Sequence, residues 1–361
     1  MVTIQVPNLI NFVAEVFSHS ESSPDEARRI ATYLTTANLT GHDSHGVIRV
    51  PVYIRWKKMG SVVPDQTIEV VVNTPSLAVI DGRFGYGQTV TPQAVRIGID
   101  KCKQAGLAAI ALRNAGHIGR VGDWAEMAAA EGLVSVHFVN AAGSLLVAPF
   151  GGVEKRLSTA PYCVGIPREG QDPIVLDFAT SVVAEGKVLV ASRGGKKLPK
   201  GALVDADGTL SEDPTVLYGP FTPEGPRDHT KGTGAIRAFG DHKGSGLAFM
   251  CELLGGALTG TGATSGGRRF ANGMLAFYVD PKVIDTSHVF DAEVSRYTDF
   301  IRATKPMAGV DQVLIPGDPE RKTRAERTQN GIPLPDDTWA AIVNTAREVG
   351  VSEISIQRAT A

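Results

Sequence analysis

Between Asn38 and Gly60 the chain sets reactive side chains close together: His42, Asp43, Ser44, His45 and Arg49. A hydroxyl, an acid, two imidazoles and a guanidinium fall within eight residues. An imidazole beside a fixed cation suits a substrate that carries a carboxylate next to a carbonyl or hydroxyl. The cation grips the carboxylate and the imidazole moves the proton. For one histidine, a capped loop bonded to backbone would be explanation enough; the cluster favours catalysis. Gly41 and Gly46 bracket the polar core, as in a tight loop between helices. Val47, Ile48, Val50, Tyr53, Ile54 and Trp56 supply an apolar face for the second helix, with Ser44 as its expected cap. His45 and Arg49 share a helical face if the first turn reaches back to His45.

Two further stretches carry chemistry. His117 lies at an expected strand end between Gly116 and Gly119, and reads either as a reacting group or as a loop histidine bonded to backbone. Asp241-His242-Lys243-Gly244-Ser245-Gly246 directly precedes a mostly apolar helix. Helix amides, small residues and a lysine there form either a pyrophosphate cradle or a solvated helix start. No GxGxxG follows a strand, since Gly82-x-x-Gly85-x-Gly87 has the wrong order, and P-loop, HExxH and GxSxG are missing. A nucleotide would therefore need a non-standard cradle. No second cluster joins His42 and His45 to make a zinc site, so no metal is expected.

The elements that must position these groups follow from periodicity. Pro7–His19 has helical spacing, and Ser23-Pro24-Asp25-Glu26 is a capping box opening a helix that ends near Leu39. Thr67–Val72 and Leu77–Asp81 read as strands around a turn, and Thr91-Pro92 as the start of a helix ending at Gly106. Leu107–Leu112, Val121–Ala130 and Leu133–Val139 have the pattern of a parallel βαβ unit. Its loops at Asn114–Arg120 and Asn140–Ser144 are then candidate site walls, because ligands sit off the carboxyl ends of such strands. Ile174–Phe178 is a strand, Pro220–Thr233 a loop, Lys243–Leu258 a helix, Thr259–Gly273 a mobile glycine- and threonine-rich stretch, and Met274–Val279 a strand. Pro316–Glu320 opens a basic helix, and Asp336/Asp337 cap a last one running through Glu348.

The chain has 361 residues, enough for two domains, with 43% hydrophobic and 20% charged residues. A net charge of -2 gives no reason to expect nucleic acid or an anionic membrane as partner. Three scattered cysteines, Cys102, Cys163 and Cys251, make no disulfide framework and fit a reducing compartment. With no signal-like start and no membrane-length apolar run, the expected location is the cytoplasm.

Several segments resemble the type-2 malate/L-lactate dehydrogenases, a family that includes ureidoglycolate, sulfolactate and other 2-hydroxycarboxylate dehydrogenases. They are Gly41-His-Asp-Ser-His-Gly46 with Arg49, Gly116-His-Ile-Gly-Arg120, Ala148-Pro-Phe-Gly-Gly152, Leu176-Asp-Phe-Ala-Thr-Ser181, Asp241-His-Lys-Gly244, Leu253–Gly260 and Pro316-Gly-Asp-Pro-Glu320. The resemblance is nearest to the broad-range hydroxycarboxylate dehydrogenases. It implies an α/β fold with a non-Rossmann, mixed-sheet NAD(P)-binding domain over 76–324. A helical substrate and dimer domain would be built from 1–75 with 325–361. It also implies a homodimer and reversible hydride transfer between NAD, or NADP, and a 2-hydroxy acid or 2-keto acid. By motif position His45 is the acid/base, with Ser44 in a relay and His117 as a second acid/base, substrate or cofactor residue. Arg49, Arg120 and Thr159 would hold substrate. Gly119, Asn140, Asp177, Phe178, Ala179, His242, Lys243, Gly244, Gly317, Asp318 and Glu320 would line the cofactor. Where the family usually has Gly-Thr-Asn-Pro, this chain has Ser158-Thr159-Ala160-Pro161, which removes an amide from the site. The alternatives are a cyclic imine-2-carboxylate reductase, against which Lys187 counts because such relatives carry an acid nearby, and a non-catalytic carboxylate-binding protein.

Overall fold

The computed structural model describes residues 1–192, 197–220 and 228–360. Part of the expected 220–233 loop therefore lies outside the described residues. Strand β1 (Val2–Ile4) leads to helices α1 (Val6–Ser18) and α2 (Pro24–Leu39). Two turns of 3-10 helix, Asp43–His45 and Val47–Arg49, precede α3 (Val50–Lys58). Then come β2 (Glu69–Asn73), β3 (Leu77–Asp81), α4 (Gly87–Ala105), β4 (Leu107–Ala115), α5 (Gly122–Ala129) and β5 (Val134–Ala142). Next are β6 (Val147–Ala148), β7 (Tyr162–Ile166), β8 (Ile174–Phe178), α6 (Glu185–Ser192), β9 (Leu203–Val204), β10 (Leu210–Ser211), α7 (Thr215–Tyr218) and β11 (Ala235–Arg237). Helix α8 (His242–Cys251) passes into π-helix over Glu252–Ala257, followed by β12 (Ala271–Val279), α9 (Pro281–Ile284) and α10 (Phe290–Arg302). The chain closes with α11 (Asp318–Asn330), β13 (Ile332–Leu334), α12 (Asp336–Glu348) and α13 (Glu353–Ala359).

Among the described residues, three large apolar cores organise these elements. The first joins Leu9, Phe12 and Val16 of α1 and Ile30 and Leu34 of α2 to Ile342 and Ala346 of α12 and Ile356 of α13, so both ends of the chain meet in it. Pairing of β1 with β13 ties the same ends. Ser23 Oγ accepts from the Glu26 amide at 3.3 Å, so the cap read from sequence is present. The second core lies under α4 and α5 against a seven-stranded sheet of order β2-β3-β4-β12-β5-β7-β8. The third surrounds the small sheet β10-β9-β11-β6 and takes in Ala248 and Cys251 of α8. Among the described residues no helix is long and apolar enough to cross a membrane.

The sheet corrects the βαβ reading. β4 and β5 run in the same direction, but β12 lies between them and pairs antiparallel with both. The adjacent parallel pair is β3 and β4, joined through α4. α4 also starts at Gly87, a turn before Thr91, and carries Pro92 inside it. A Cβ at position 87 would overlap the carbonyl oxygen of His117, so glycine lets this helix start against the His117 loop. The stretch expected to be mobile is anchored: Thr259 and Thr261 are buried, Arg269 donates to Gly60 O at 2.8 Å, and β12 already begins at Ala271. Past Glu348 the short α13 completes the first core.

Candidate active site

The Gly41–Gly46 turn is held from beneath. Asn38 at the end of α2 is buried; its Oδ1 accepts from the Val47 amide at 2.8 Å and its Nδ2 donates to Asp43 at 2.7 Å. Gly46 packs on that amide with no room for a Cβ. Asp43 in turn receives Arg327 of α11 at 2.6 and 3.1 Å. The two 3-10 turns break at Gly46, so His45 and Arg49 do not share a helix, and the N-cap of α3 is Arg49 without a side-chain cap. Ser44 therefore caps nothing. Its carbonyl instead receives Arg49 Nε at 2.6 Å. No hydrogen bond joins the Ser44 hydroxyl to His45 among the described residues. Arg49's terminal nitrogens have no partner there either, leaving a planar pair of donors for a carboxylate.

The relay runs through other residues. His45 Nδ1 lies 3.2 Å from His117 Nε2, with the rings tilted only 16° from parallel. His117 Nδ1 lies 2.6 Å from Tyr53 Oη, and Gln88 Nε2 donates to that hydroxyl at 3.0 Å. Tyr53 also reaches the His117 carbonyl at 3.3 Å. The chain Gln88–Tyr53–His117–His45 thus starts in α4, crosses α3 and ends at His45 Nε2, the one ring nitrogen of the pair without a partner among the described residues. The Tyr53 hydrogen has two acceptors, His117 Nδ1 and His117 O. Pointing at Nδ1, it leaves His117 Nε2 as a donor to His45 and puts a hydrogen on His45 Nε2. Pointing at the carbonyl, it reverses both imidazoles and leaves His45 Nε2 a bare acceptor. One neutral chain can present either face.

Electrostatics keep the imidazoles neutral. Burial, then the positive charge of Arg49, pushes His45 down to about 3, with His42 and Arg120 adding to the effect. His117 is held well below its ordinary value by burial, Arg49 and His45. Burial raises the Tyr53 phenol, so it stays protonated. Sequence reasoning took Tyr53 for part of an apolar face and missed Gln88. The available signal was a phenol, in place of a phenylalanine, at a buried helical position, where its hydroxyl must find a partner.

The other expected residues are distributed. Arg120 is buried, with Nη1 on Asp123 at 2.8 Å and Nη2 on Glu126 at 2.7 Å, so its terminal donors are committed within the chain. Asn140 is fully buried; its Nδ2 meets Glu252 at 3.2 Å and Gly262 O at 2.9 Å, and its Oδ1 accepts from Gly273 at 3.1 Å. It is a strut between β5, the π-helix and β12, with no amide group left for a cofactor. Thr159 O accepts from Thr180, while Ala160 is buried at φ 23° with its amide on Ser158 Oγ. Asp177 accepts from the Gly122 amide at 2.7 Å, and Phe178 packs edge-on against Tyr162 and Phe239. Ala179 and Gly119 are half-buried.

A cavity of about 830 Å³ adjoins the site, lined by Arg120, Gly317, Glu320, Arg321, Arg324 and Arg302, among others. Glu320 reaches His42 at 3.2 Å, which brings this end of the cavity to the histidine turn. Asp318 caps the Ile315 amide at 2.9 Å and binds Arg302 and Arg321. A second cavity, of about 230 Å³, lies beside Pro149, Phe150 and Asp241. His242, Lys243 and Gly244 line neither of these two, and His242 and Lys243 are exposed. Of the buried polar atoms without a partner, Arg120 Nε, Arg168 Nε and Glu320 Oε2 all belong to residues of the larger cavity. Two donors and an acceptor left open fit a ligand bearing both phosphates and hydroxyls.

The malate/L-lactate dehydrogenase family model matches residues 4–343. Hydroxycarboxylate dehydrogenase B of Escherichia coli (strain K12) is 37% identical over 355 residues, 97% of this chain and 95% of that protein. L-sulfolactate dehydrogenase of Methanocaldococcus jannaschii is 32% identical over 334 residues, 91% of this chain and 92% of that one. A solved E. coli structure, described as a candidate malate/lactate dehydrogenase, superposes with a TM-score of 0.91 at 36% identity, over 99% of this chain and 98% of that one. A histidine pair ending beside a free guanidinium and a match along almost the whole chain belong together: this protein is a member of the malate/L-lactate dehydrogenase family.

Proposed function

We propose that the protein is an NAD(P)-dependent 2-hydroxycarboxylate dehydrogenase, interconverting a 2-hydroxy acid and its 2-keto acid. The observation that carries this reading is the free His45 Nε2 at the end of a hydrogen-bonded chain, next to the unpaired guanidinium end of Arg49. The nicotinamide cofactor, when bound, accepts or supplies the hydride. Arg49 holds the substrate carboxylate. In oxidation, neutral His45 takes the hydroxyl proton at Nε2 and becomes the imidazolium; in reduction, that imidazolium returns the proton to the C2 oxygen and is left neutral. His117 and Tyr53 act through His45 by setting which form it presents. Arg120, Gly317 and Glu320 would line the cofactor, Glu320 Oε2 offering an acceptor to a ribose hydroxyl. Residues 1–75 with 325–361 would form the substrate domain, and 76–324 the cofactor domain.

The test is steady-state turnover of a panel of 2-keto acids, with a cyclic imine acid for comparison, using NADH and NADPH from about pH 5 to 9. Keto acids should be reduced and the imine should not. Because both imidazoles are neutral in the free enzyme, kcat/KM for the reverse oxidation should be flat across this range. A substrate carboxylate on Arg49 cancels one of the charges that depress His45, so the bound complex has the higher pKa. The acid limb of kcat should therefore lie at higher pH than that of kcat/KM. An inflection of kcat/KM near the free-histidine value of about 6.5 would remove the depressed His45 from the mechanism.

The homodimer has a candidate surface. Phe249, Met250, Leu253 and Leu258 leave one side of α8 and its π-helical extension apolar and exposed. A second copy covering this face should give twice the single-chain mass by sedimentation, and Phe249→Asp with Leu253→Asp should halve it. A single-chain mass for the unaltered protein would rule the dimer out.

A further inference from the structure

We propose that the larger cavity holds a phosphate subsite, formed by Arg168 and Arg324, that selects the cofactor carrying a 2′-phosphate on its adenosine ribose. The inference rests on the reading that this cavity takes the nicotinamide cofactor. Its inner end, at Glu320 and Arg120, adjoins the histidine turn through the Glu320–His42 contact. With the nicotinamide at the histidines, the adenosine of an extended dinucleotide lies toward the far wall. The rest of the lining includes the turn holding Arg168, Gly170, Gln171 and Asp172, together with Arg302 and Arg324.

The partners of each guanidinium single out two. Arg120 is held by Asp123 and Glu126. Arg302 and Arg321 share Asp318, and Arg321 also donates to Pro173 O at 3.0 Å. Among the described residues Arg324 has one polar contact, to Glu126 Oε2 at 3.4 Å, on a carboxylate whose other oxygen already serves Arg120. Arg168 meets only the neutral amide of Gln171, and its Nε is buried without a partner. Two forked cations line one cavity, neither with a carboxylate of its own, and their charge and planar donors suit a phosphate monoester. Asp172, on the same turn, is the group that would oppose it.

The experiment is titration of the full chain with NADPH and NADH, read by nicotinamide fluorescence. Adenosine 2′,5′-bisphosphate and 5′-AMP serve as competitors. NADPH should bind about 10-fold or more tightly than NADH, and the bisphosphate should compete better than 5′-AMP. Arg324→Ala and Arg168→Ala should each weaken NADPH by about 10–100-fold, the worth of a charge-assisted bond. NADH affinity should be nearly unchanged. Asp172→Asn should strengthen NADPH alone. Equal affinity of the unaltered protein for the two cofactors overturns the proposal and leaves the dehydrogenase reading standing. Equal weakening of both cofactors by the arginine variants also overturns it, since the guanidiniums would then serve the shared pyrophosphate. Binding of neither cofactor would instead remove the dehydrogenase reading, and this inference with it.

Discussion

Replacing His45 with alanine is expected to lower kcat for keto-acid reduction by about 10²–10⁴-fold, the usual worth of a positioned acid/base. His45 alone of the pair has a ring nitrogen free for substrate, because both nitrogens of His117 are engaged, by Tyr53 and by His45 itself. His117→Ala should cause a loss of similar order. It breaks the chain and leaves the Tyr53 hydrogen only the carbonyl of residue 117, at 3.3 Å, to donate to, while Gln88 still donates to the hydroxyl oxygen. The double variant decides whether the two act as one unit. A loss no greater than that of the worse single variant supports one relay; multiplied losses assign separate roles. Tyr53→Phe keeps the ring and removes the hydrogen that sets the tautomer, so its smaller loss should fall on kcat with KM little changed. Near-normal turnover of His45→Ala with an inactive His117→Ala would make His117 the group that meets substrate.

Arg49→Ala should abolish most of kcat/KM for keto acids while leaving cofactor affinity nearly unaffected. Arg49→Lys should also fall far, because lysine keeps the charge but loses the planar pair of donors and the Nε bond to the Ser44 carbonyl. A positioned carboxylate also fixes C2 for hydride transfer, so the loss should appear in kcat as well as in KM. The competing reading, in which Arg49 merely pairs with Asp43, meets an obstacle: Asp43 is taken by Arg327 and Asn38. The deciding measurement compares a keto acid with its amide. Loss of the preference for the acid in Arg49→Ala establishes the clamp. Survival of that preference would return the role to Arg120, which would first have to leave Asp123 and Glu126.

The histidine turn, α1, the α2 cap and most strand positions were legible because each depends on local pattern. A capping serine, a glycine-bracketed turn and alternating apolar residues act over a few residues. The relay was not legible, since Tyr53 and Gln88 meet only when α3 and α4 pack across the His117 loop. The place of β12 between β4 and β5 depends on pairing between distant segments, which periodicity does not encode. Asn140 misled for the same reason: a polar residue at a strand end looks like a site wall, yet here it faces a buried carboxylate and two backbone partners. Arg324 reads from sequence only as part of a basic helix, and Arg168 carries no local signal, because which arginine lacks a carboxylate is a tertiary property.

The position of β12 also bears on how the chain acquires its shape during synthesis. β4 and β5 are made early, but the strand that bonds to both begins only at Ala271. Until it leaves the ribosome, each of the two has an open inner edge that water or another chain can occupy. The sheet cannot close on contacts formed in order of synthesis, so its centre sets only after most of the polypeptide exists. Such a high sequence separation slows folding and lengthens the time in which unpaired strands can aggregate. A nascent chain stopped before Ala271 should accordingly depend on chaperones that cover strand edges, whereas one extended beyond Val279 should not.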